Sequence, residues 1–107
     1  FECYDNVRGV AVLLLMSEKR LLIDSFAQHM AVGLNKPSTV CWIGTNPICF
    51  GYKTHDNIIA NPPEKEYITD DVTFAKNELW EPVSNLPYSS TDDIFEINQI
   101  FQSINKQ

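Results

Sequence analysis

The sequence predicts an α/β fold with a Rossmann-like parallel sheet and flanking helices. Two observations lead to this prediction. Apolar runs typical of buried strands alternate with helix-forming segments, an order that favours parallel strands joined by crossover helices. These runs also lack a strict alternation of apolar and polar residues, as expected where both faces of a parallel sheet are covered. With 107 residues, the chain is long enough for one domain with a modest core.

The chain begins with a predicted helix and strand. A helix is predicted from Val7, because Asn6 can act as its N-cap and apolar residues then recur at three- and four-residue spacing. A polar break follows, and residues 20–24 form the first predicted strand. Asp24 ends this strand and Ser25 opens the next helix, so a polar cluster is expected where the strand meets the helix.

The middle of the chain completes a strand–helix–strand unit. A second helix is predicted over residues 25–34. Asn35 can take the left-handed conformation that ends a helix, and Pro37 prevents its continuation. Residues 38–43 are rich in β-forming residues and are expected to be a second buried strand, with Cys41 as a small core residue.

The rest of the chain holds one more strand and a last helix. Residues 44–47 are predicted to be a turn, residues 48–53 an aromatic and glycine-containing loop, and residues 57–60 a short third strand. Residues 64–88 are acidic and aperiodic, with low-scoring strand candidates at 67–68 or 79–80. A capping-box pattern at residues 90–93 precedes an amphipathic helix. Its predicted apolar stripe is Ile94, Ile97, Phe101 and Ile104.

Composition and charge exclude several function classes. The net charge is −6, and the acidic excess lies in the second half, which argues against nucleic-acid binding. Three cysteines at wide spacing form neither a disulfide framework nor a zinc pattern, so no metal is expected. The longest apolar run, residues 10–16, is too short to span a bilayer. Because the chain opens with Phe1 and has no visible targeting signal, we expect a fragment or processed piece. Reduced thiols suit the cytoplasm.

The first candidate site is the junction at Asp24 and Ser25. The first turn of a helix presents unpaired N–H groups and the positive end of the helix dipole, which together suit a phosphate. His29 lies one turn after Ser25 on the same face and could help to hold that phosphate. The alternative is structural: Asp24 or Ser25 only caps the helix, and His29 is a half-buried packing residue.

The second candidate site is the turn after the next strand. In a parallel sheet, the carboxyl ends of the strands meet at one edge, so Thr45 and Asn46 should border the same crevice as Asp24. A hydroxyl and an amide there could contact a ligand, although an ordinary Asn-Pro turn is equally compatible with the pattern. No Ser/His/Asp nucleophile arrangement, Walker loop or GxGxxG is present.

Residues 21–47 resemble the donor-binding end of the family 9 glycosyltransferases, the heptosyltransferase-like enzymes. That family has an apolar strand, then Asp-Ser/Thr-Gly-x-x-His-x-Ala-x-x-Leu, a Lys-Pro turn, a second apolar strand and Gly-x-Thr-x-Pro. This chain has matching residues in the same order and at similar spacing. They are Asp24, Ser25, His29, Ala31, Leu34, Lys36, Pro37, Gly44, Thr45 and Pro47.

The resemblance implies a GT-B type glycosyltransferase, of which residues 1–107 would be a single, incomplete C-terminal nucleotide-sugar-binding domain. The donor would be a nucleotide-diphospho-sugar, with no cofactor or metal. Backbone N–H groups of Ser25, Phe26 and Ala27 would meet the pyrophosphate, with His29 assisting and Asp24, Thr45 and Asn46 beside the donor. The acceptor, a glycan or lipopolysaccharide-type glycolipid, and the catalytic base would belong to the N-terminal half. Membrane association would be peripheral at most, at the inner face, and this piece alone would be inactive.

One residue departs from the family pattern. Phe26 stands where the family usually has glycine, which lets a backbone approach a phosphate closely. Three alternatives follow: the ring points into the core, it stacks on the donor, or the site is altered. In the last case the chain is a non-catalytic α/β structural or interaction module with a degenerate nucleotide site.

Overall fold

The computed structural model describes residues 6–61 and 88–107, which form a small α/β domain. The strand candidates at 67–68 and 79–80 lie outside the described residues. We number the helices and strands in chain order. They are α1 (Val7–Met16), β1 (Leu21–Ile23), α2 (Phe26–Gly33), β2 (Thr39–Trp42), α3 (Pro47–Phe50), β3 (Asp56–Ile59), a 3-10 turn (Thr91–Asp93) and α4 (Ile97–Lys106).

The three strands form a parallel sheet in the order β1-β2-β3. Leu22 pairs with Val40, and Cys41 pairs with Ile58. All of β2 is buried, because it lies between two strands and under helices on both faces. This explains why its sequence has no polar alternation, and the predicted parallel sheet with flanking helices is confirmed.

Helices cover the two faces of β2 differently. On one face, Cys41 and Ile58 pack against Ile100 of α4 and form the buried apolar cluster. On the other face, Trp42 is fully buried, and its indole N–H donates to the Asn57 side chain at 2.9 Å. Burial in the first cluster raises the pKa of the Cys41 thiol above its ordinary value, so Cys41 is the small core residue that the sequence predicted.

Helix α2 begins and ends where the sequence predicts. Ser25 is the N-cap, with extended backbone. At the other end Asn35 has a φ of 56°, the left-handed conformation that asparagine tolerates better than most residues. The amide of Lys36 then bonds back to the carbonyl of Ala31 at 2.8 Å, which closes the last turn.

The predicted apolar stripe of the last helix is only partly buried. Helix α4 starts at Ile97, after the 3-10 turn, and Ser90 caps that turn instead of the helix. Ile100 and Ser103 are buried, whereas Ile97 and Phe101 are 56% and 58% exposed. Ile104 packs against the buried cluster, and the Ser103 hydroxyl pairs with the Thr39 hydroxyl of β2. The buried face of α4 therefore includes a polar residue and overlaps the predicted stripe only in part.

The predicted loop at residues 48–53 is partly wrong as well. Its first residues belong to the short helix α3, and the Asn46 side chain caps this helix by accepting from the Ile48 amide at 2.9 Å. Pro47 occupies the first helical position, where its missing N–H costs nothing. Gly44 turns the chain ahead of it, with a φ of 78°.

One edge of the sheet is apolar and open in the part of the chain described here. Strand β1 pairs only with β2 there, and Leu21 and Ile23 are 51% and 66% exposed.

A hydrogen bond joins the two described stretches of the chain: the Tyr88 hydroxyl donates to the carbonyl of Asn61 at 2.6 Å. Desolvation of that hydroxyl raises the pKa of Tyr88. Within residues 6–61 and 88–107, no helix is long and apolar enough to cross a membrane.

Candidate functional site at the carboxyl edge of the sheet

The loops after β1 and β2 meet at the carboxyl edge of the sheet. The Thr45 hydroxyl donates to Oδ2 of Asp24 at 2.7 Å. Both side chains are partly buried, so this hydrogen bond to a charged acceptor fixes one loop against the other. The prediction that the two polar clusters share an edge is therefore confirmed.

The N-terminus of α2 keeps free hydrogen-bond donors beside this pair. The structural alternative required Ser25 or Asp24 to cap the helix, yet no described side chain makes a cap hydrogen bond there. The Gln28 amide is satisfied by the carbonyl of Ser25 at 3.2 Å. The amides of Phe26 and Ala27 lie in the first turn, where a helix offers no carbonyl partner. The result is a pair of main-chain donors at the positive end of the helix dipole.

Phe26 lies at the surface at this helix start. Its side chain is 55% exposed, so the ring does not point into the core. Of the three alternatives that the sequence left open, two remain: stacking of the ring on a ligand, or obstruction of the site by the ring.

His29 is exposed but has partners for both ring nitrogens. Nδ1 lies 2.8 Å from the Tyr52 hydroxyl, and Nε2 lies 3.3 Å from the side-chain amide nitrogen of Gln28. The Tyr52 ring stands edge-on to the imidazole, with centroids 5.5 Å apart. A role of His29 at a phosphate therefore requires it to release one of these partners, and that role stays a prediction.

Asn46 and Ala27 offer few side-chain groups that could contact a ligand. The Asn46 Oδ1 atom already caps α3, which leaves its amide group as the part that could contact a ligand. Ala27 is partly buried and offers only its backbone N–H. Among the described residues, the site is consequently built from main-chain donors, one carboxylate and one hydroxyl.

A buried polar network around His55 contacts the first turn of α2, and the sequence analysis did not predict this network. His55 is 6% exposed. Its Nδ1 accepts from the Ser38 amide at 3.0 Å, and its Nε2–H donates to the carbonyl of Gln28 at 2.9 Å. The bond to Gln28 joins β3 to the first turn of α2. The network links residues 17 and 27 positions apart, so local sequence patterns carried no signal for it.

Gln28 is the other residue that the sequence reasoning missed. It is fully buried, and its Nε2 donates to the carbonyl of Phe50 at 2.9 Å. The spacing of Ser25 and Gln28 matches a capping box, the one available signal, but the box does not form because Gln28 reaches α3 instead. Within the described residues, Gln28 Oε1 is buried without a hydrogen-bond partner.

The described residues include no group of three or more His, Cys, Asp or Glu side chains that could hold a metal ion. Comparison of the chain with models of protein families, with curated proteins and with solved structures found no match.

Proposed function

We propose that this chain is the donor-binding domain of a GT-B type glycosyltransferase. The enzyme would transfer a sugar from a nucleotide-diphospho-sugar to a glycan or lipopolysaccharide-type acceptor. The observation that carries the proposal is the uncapped N-terminus of α2, which lies beside the Asp24–Thr45 pair at the carboxyl edge of a parallel sheet. Ligands of open α/β sheets bind at this edge.

The charges of the site suggest which part of the nucleotide-sugar each protein group would contact. The amides of Phe26 and Ala27 and the helix dipole, equivalent to about half a positive charge, would stabilise the diphosphate. The Asp24 carboxylate would repel a phosphate, so its place is to hold Thr45 and to accept from a sugar hydroxyl. The main-chain donors would also offset the charge of the departing nucleoside diphosphate, so the transfer needs no bound metal.

The catalytic base is not among the groups that the structure brings together here. In the family that the motif resembles, this base belongs to the N-terminal half, which would also bind the acceptor. Residues 1–107 are accordingly expected to bind the donor without transferring its sugar. A cytoplasmic location, at most peripheral to the inner face of a membrane, follows from the same resemblance.

The surface position of Phe26 supports a second candidate function. If the 55% exposed ring obstructs the amides behind it, the chain is a non-catalytic module with a degenerate nucleotide site. The engagement of His29 by Tyr52 agrees with that alternative, because it removes the side chain expected to assist the phosphate.

Binding of nucleoside diphosphates and nucleotide-sugars tests the proposal and separates the two functions. Thermal shift and calorimetry on residues 1–107, and on a longer chain that supplies the N-terminal half, should show saturable binding. Asp24→Ala should weaken the binding of nucleotide-sugars through the lost sugar contact, and His29→Ala should weaken the binding of both ligand classes. Ser90→Ala, which alters the cap of the 3-10 turn, should weaken neither. A donor-binding domain predicts that Phe26→Gly retains or weakens binding. Binding that appears only in Phe26→Gly supports the module, and no binding by any variant of either chain overturns the proposal.

A further inference from the structure

A cleft of about 430 Å³ opens at the amino edge of the sheet, opposite the candidate donor site. Its walls come from the residues that precede the three strands and from the last turn of α4. Arg20 and Lys106 both line it. The other lining residues are Pro37, Ser38, Thr54, Asp56, Ser103 and Gln107. The volume lies within the range of about 300–1,000 Å³ that is typical of small-molecule sites.

Arg20 presents a fixed positive charge to this cleft. Its Nε donates to the Ser38 hydroxyl at 3.1 Å, and its two terminal nitrogens donate to the carbonyls of Ser17 and Pro37 at 2.5 and 2.9 Å. A guanidinium carries five N–H groups, so two remain for a ligand. Because the side chain is already held in place, a ligand would not have to immobilise it, which lowers the entropic cost of binding.

Lys106 is available to the same ligand. It lies in the last turn of α4, and no described residue accepts a hydrogen bond from its ammonium group. The negative end of this helix would ordinarily oppose an anion. Here the Lys19 ammonium covers it, with hydrogen bonds of 3.0 and 3.4 Å to the carbonyls of Ile104 and Asn105.

The polar lining is therefore locally positive in a chain of net charge −6. Among the described residues that line the cleft, Arg20 and Lys106 carry positive side chains, and Asp56, the first residue of β3, carries the one negative side chain. Two cations suit an oxyanion. The carboxylate suits a hydroxyl or amino donor on the same molecule.

We propose that this cleft is a second binding site, for a small molecule that joins an oxyanion, a carboxylate or phosphate, to a hydroxyl group. Arg20 and Lys106 bind the oxyanion, and Asp56 accepts from the hydroxyl. The proposal is independent of the donor site, because the two lie at opposite edges of the sheet and share no residue.

Amide NMR spectra of the full chain, titrated at constant ionic strength, test this site. The probes are glycerol 3-phosphate, lactate and, as the neutral match, glycerol. We expect saturable shifts for the amides of Arg20, Ser38 and Ser103 with at least one of the two anions and none with glycerol. The anion that binds with the higher affinity shows whether the site prefers a phosphate or a carboxylate. The amide signals of Phe26 and Ala27 should not shift when lactate is added.

Matched variants decide whether the cleft binds the anion. Lys106→Gln should weaken binding about fivefold or more, as expected for the loss of one charge-assisted hydrogen bond. Lys53→Gln, an exposed lysine outside the cleft, should leave the affinity unchanged. Asp56→Asn should weaken the binding of lactate or glycerol 3-phosphate, because the contact with the hydroxyl group of the ligand is lost. It should not weaken the binding of inorganic phosphate. Any of three results would overturn the proposal. They are shifts that rise linearly without saturation, equal affinities of the two lysine variants for the anion, and shifts with glycerol as large as those with the anions.

Discussion

Replacement of His55 by leucine should lower the free energy of unfolding by about 2–4 kcal/mol. The imidazole is 6% exposed and connects the Ser38 amide, itself 2% exposed, to the carbonyl of Gln28. Leucine has a similar volume but no polar atom. The Ser38 N–H would remain buried without an acceptor, at a cost of about 1–3 kcal/mol, and the lost bond to Gln28 would add about 0.5–1.5 kcal/mol. Urea denaturation, followed by tryptophan fluorescence because Trp42 is fully buried, measures the difference.

Two further variants separate the hydrogen bonds from simple packing. His55→Asn places an amide oxygen close to the position of Nδ1, so it should keep the Ser38 bond and recover roughly half of the lost stability. His29→Leu alters an exposed histidine and should cost less than about 1 kcal/mol. If His55→Leu and His55→Asn are equally stable within about 0.5 kcal/mol, the buried amide of Ser38 is not what His55 stabilises, and the reasoning fails.

Three other predictions follow from burial and backbone conformation. Ile100→Ala should cost about 2–4 kcal/mol in urea denaturation and Ile97→Ala less than about 1 kcal/mol, and the reverse order would restore the helix phase that the sequence predicted. In native protein at pH 7–9, iodoacetamide should modify the exposed Cys49 and spare Cys41, because burial raises the pKa of the Cys41 thiol. Peptide mass spectrometry distinguishes the two, and rapid Cys41 labelling would contradict its burial. Asn35→Ala should cost about 1 kcal/mol in the same denaturation assay, since alanine tolerates the left-handed backbone poorly, whereas Asn35→Gly should cost almost nothing.

The elements that the sequence predicted well are those whose signals are local. The β-forming residues of β2, which lack a strict alternation of polar and apolar side chains, indicated a strand covered on both faces, and Asn35 with Pro37 marked the end of α2. The prediction that Asp24 and Thr45 lie at one edge succeeded for a different reason. Parallel strands place their carboxyl ends together, so topology alone brings the two loops into contact.

The elements that the sequence missed depend on contacts between distant residues. The buried face of α4 includes Ser103, which pairs with Thr39, 64 positions away, and a hydrophobic stripe carries no information about that partner. Helix α3 has four residues, too few for a helical period to show. The hydrogen bonds of Gln28 and His55 join segments that are distant in sequence, so they depend on how the loops pack against α2. The exposure of Phe26 likewise depends on the surface around it.

Amide NMR on the first turn of α2 can show whether this turn binds a diphosphate, as we propose. A uniformly ¹⁵N-labelled chain would be titrated with a panel of nucleoside diphosphates, first as residues 1–107 and then with the N-terminal half supplied. We expect saturable shifts that are largest at the amides of Phe26 and Ala27, the two donors without a helical partner. Unmoved amides at these two positions in both folded chains, or shifts confined to the cleft at Arg20 and Lys106, would contradict it.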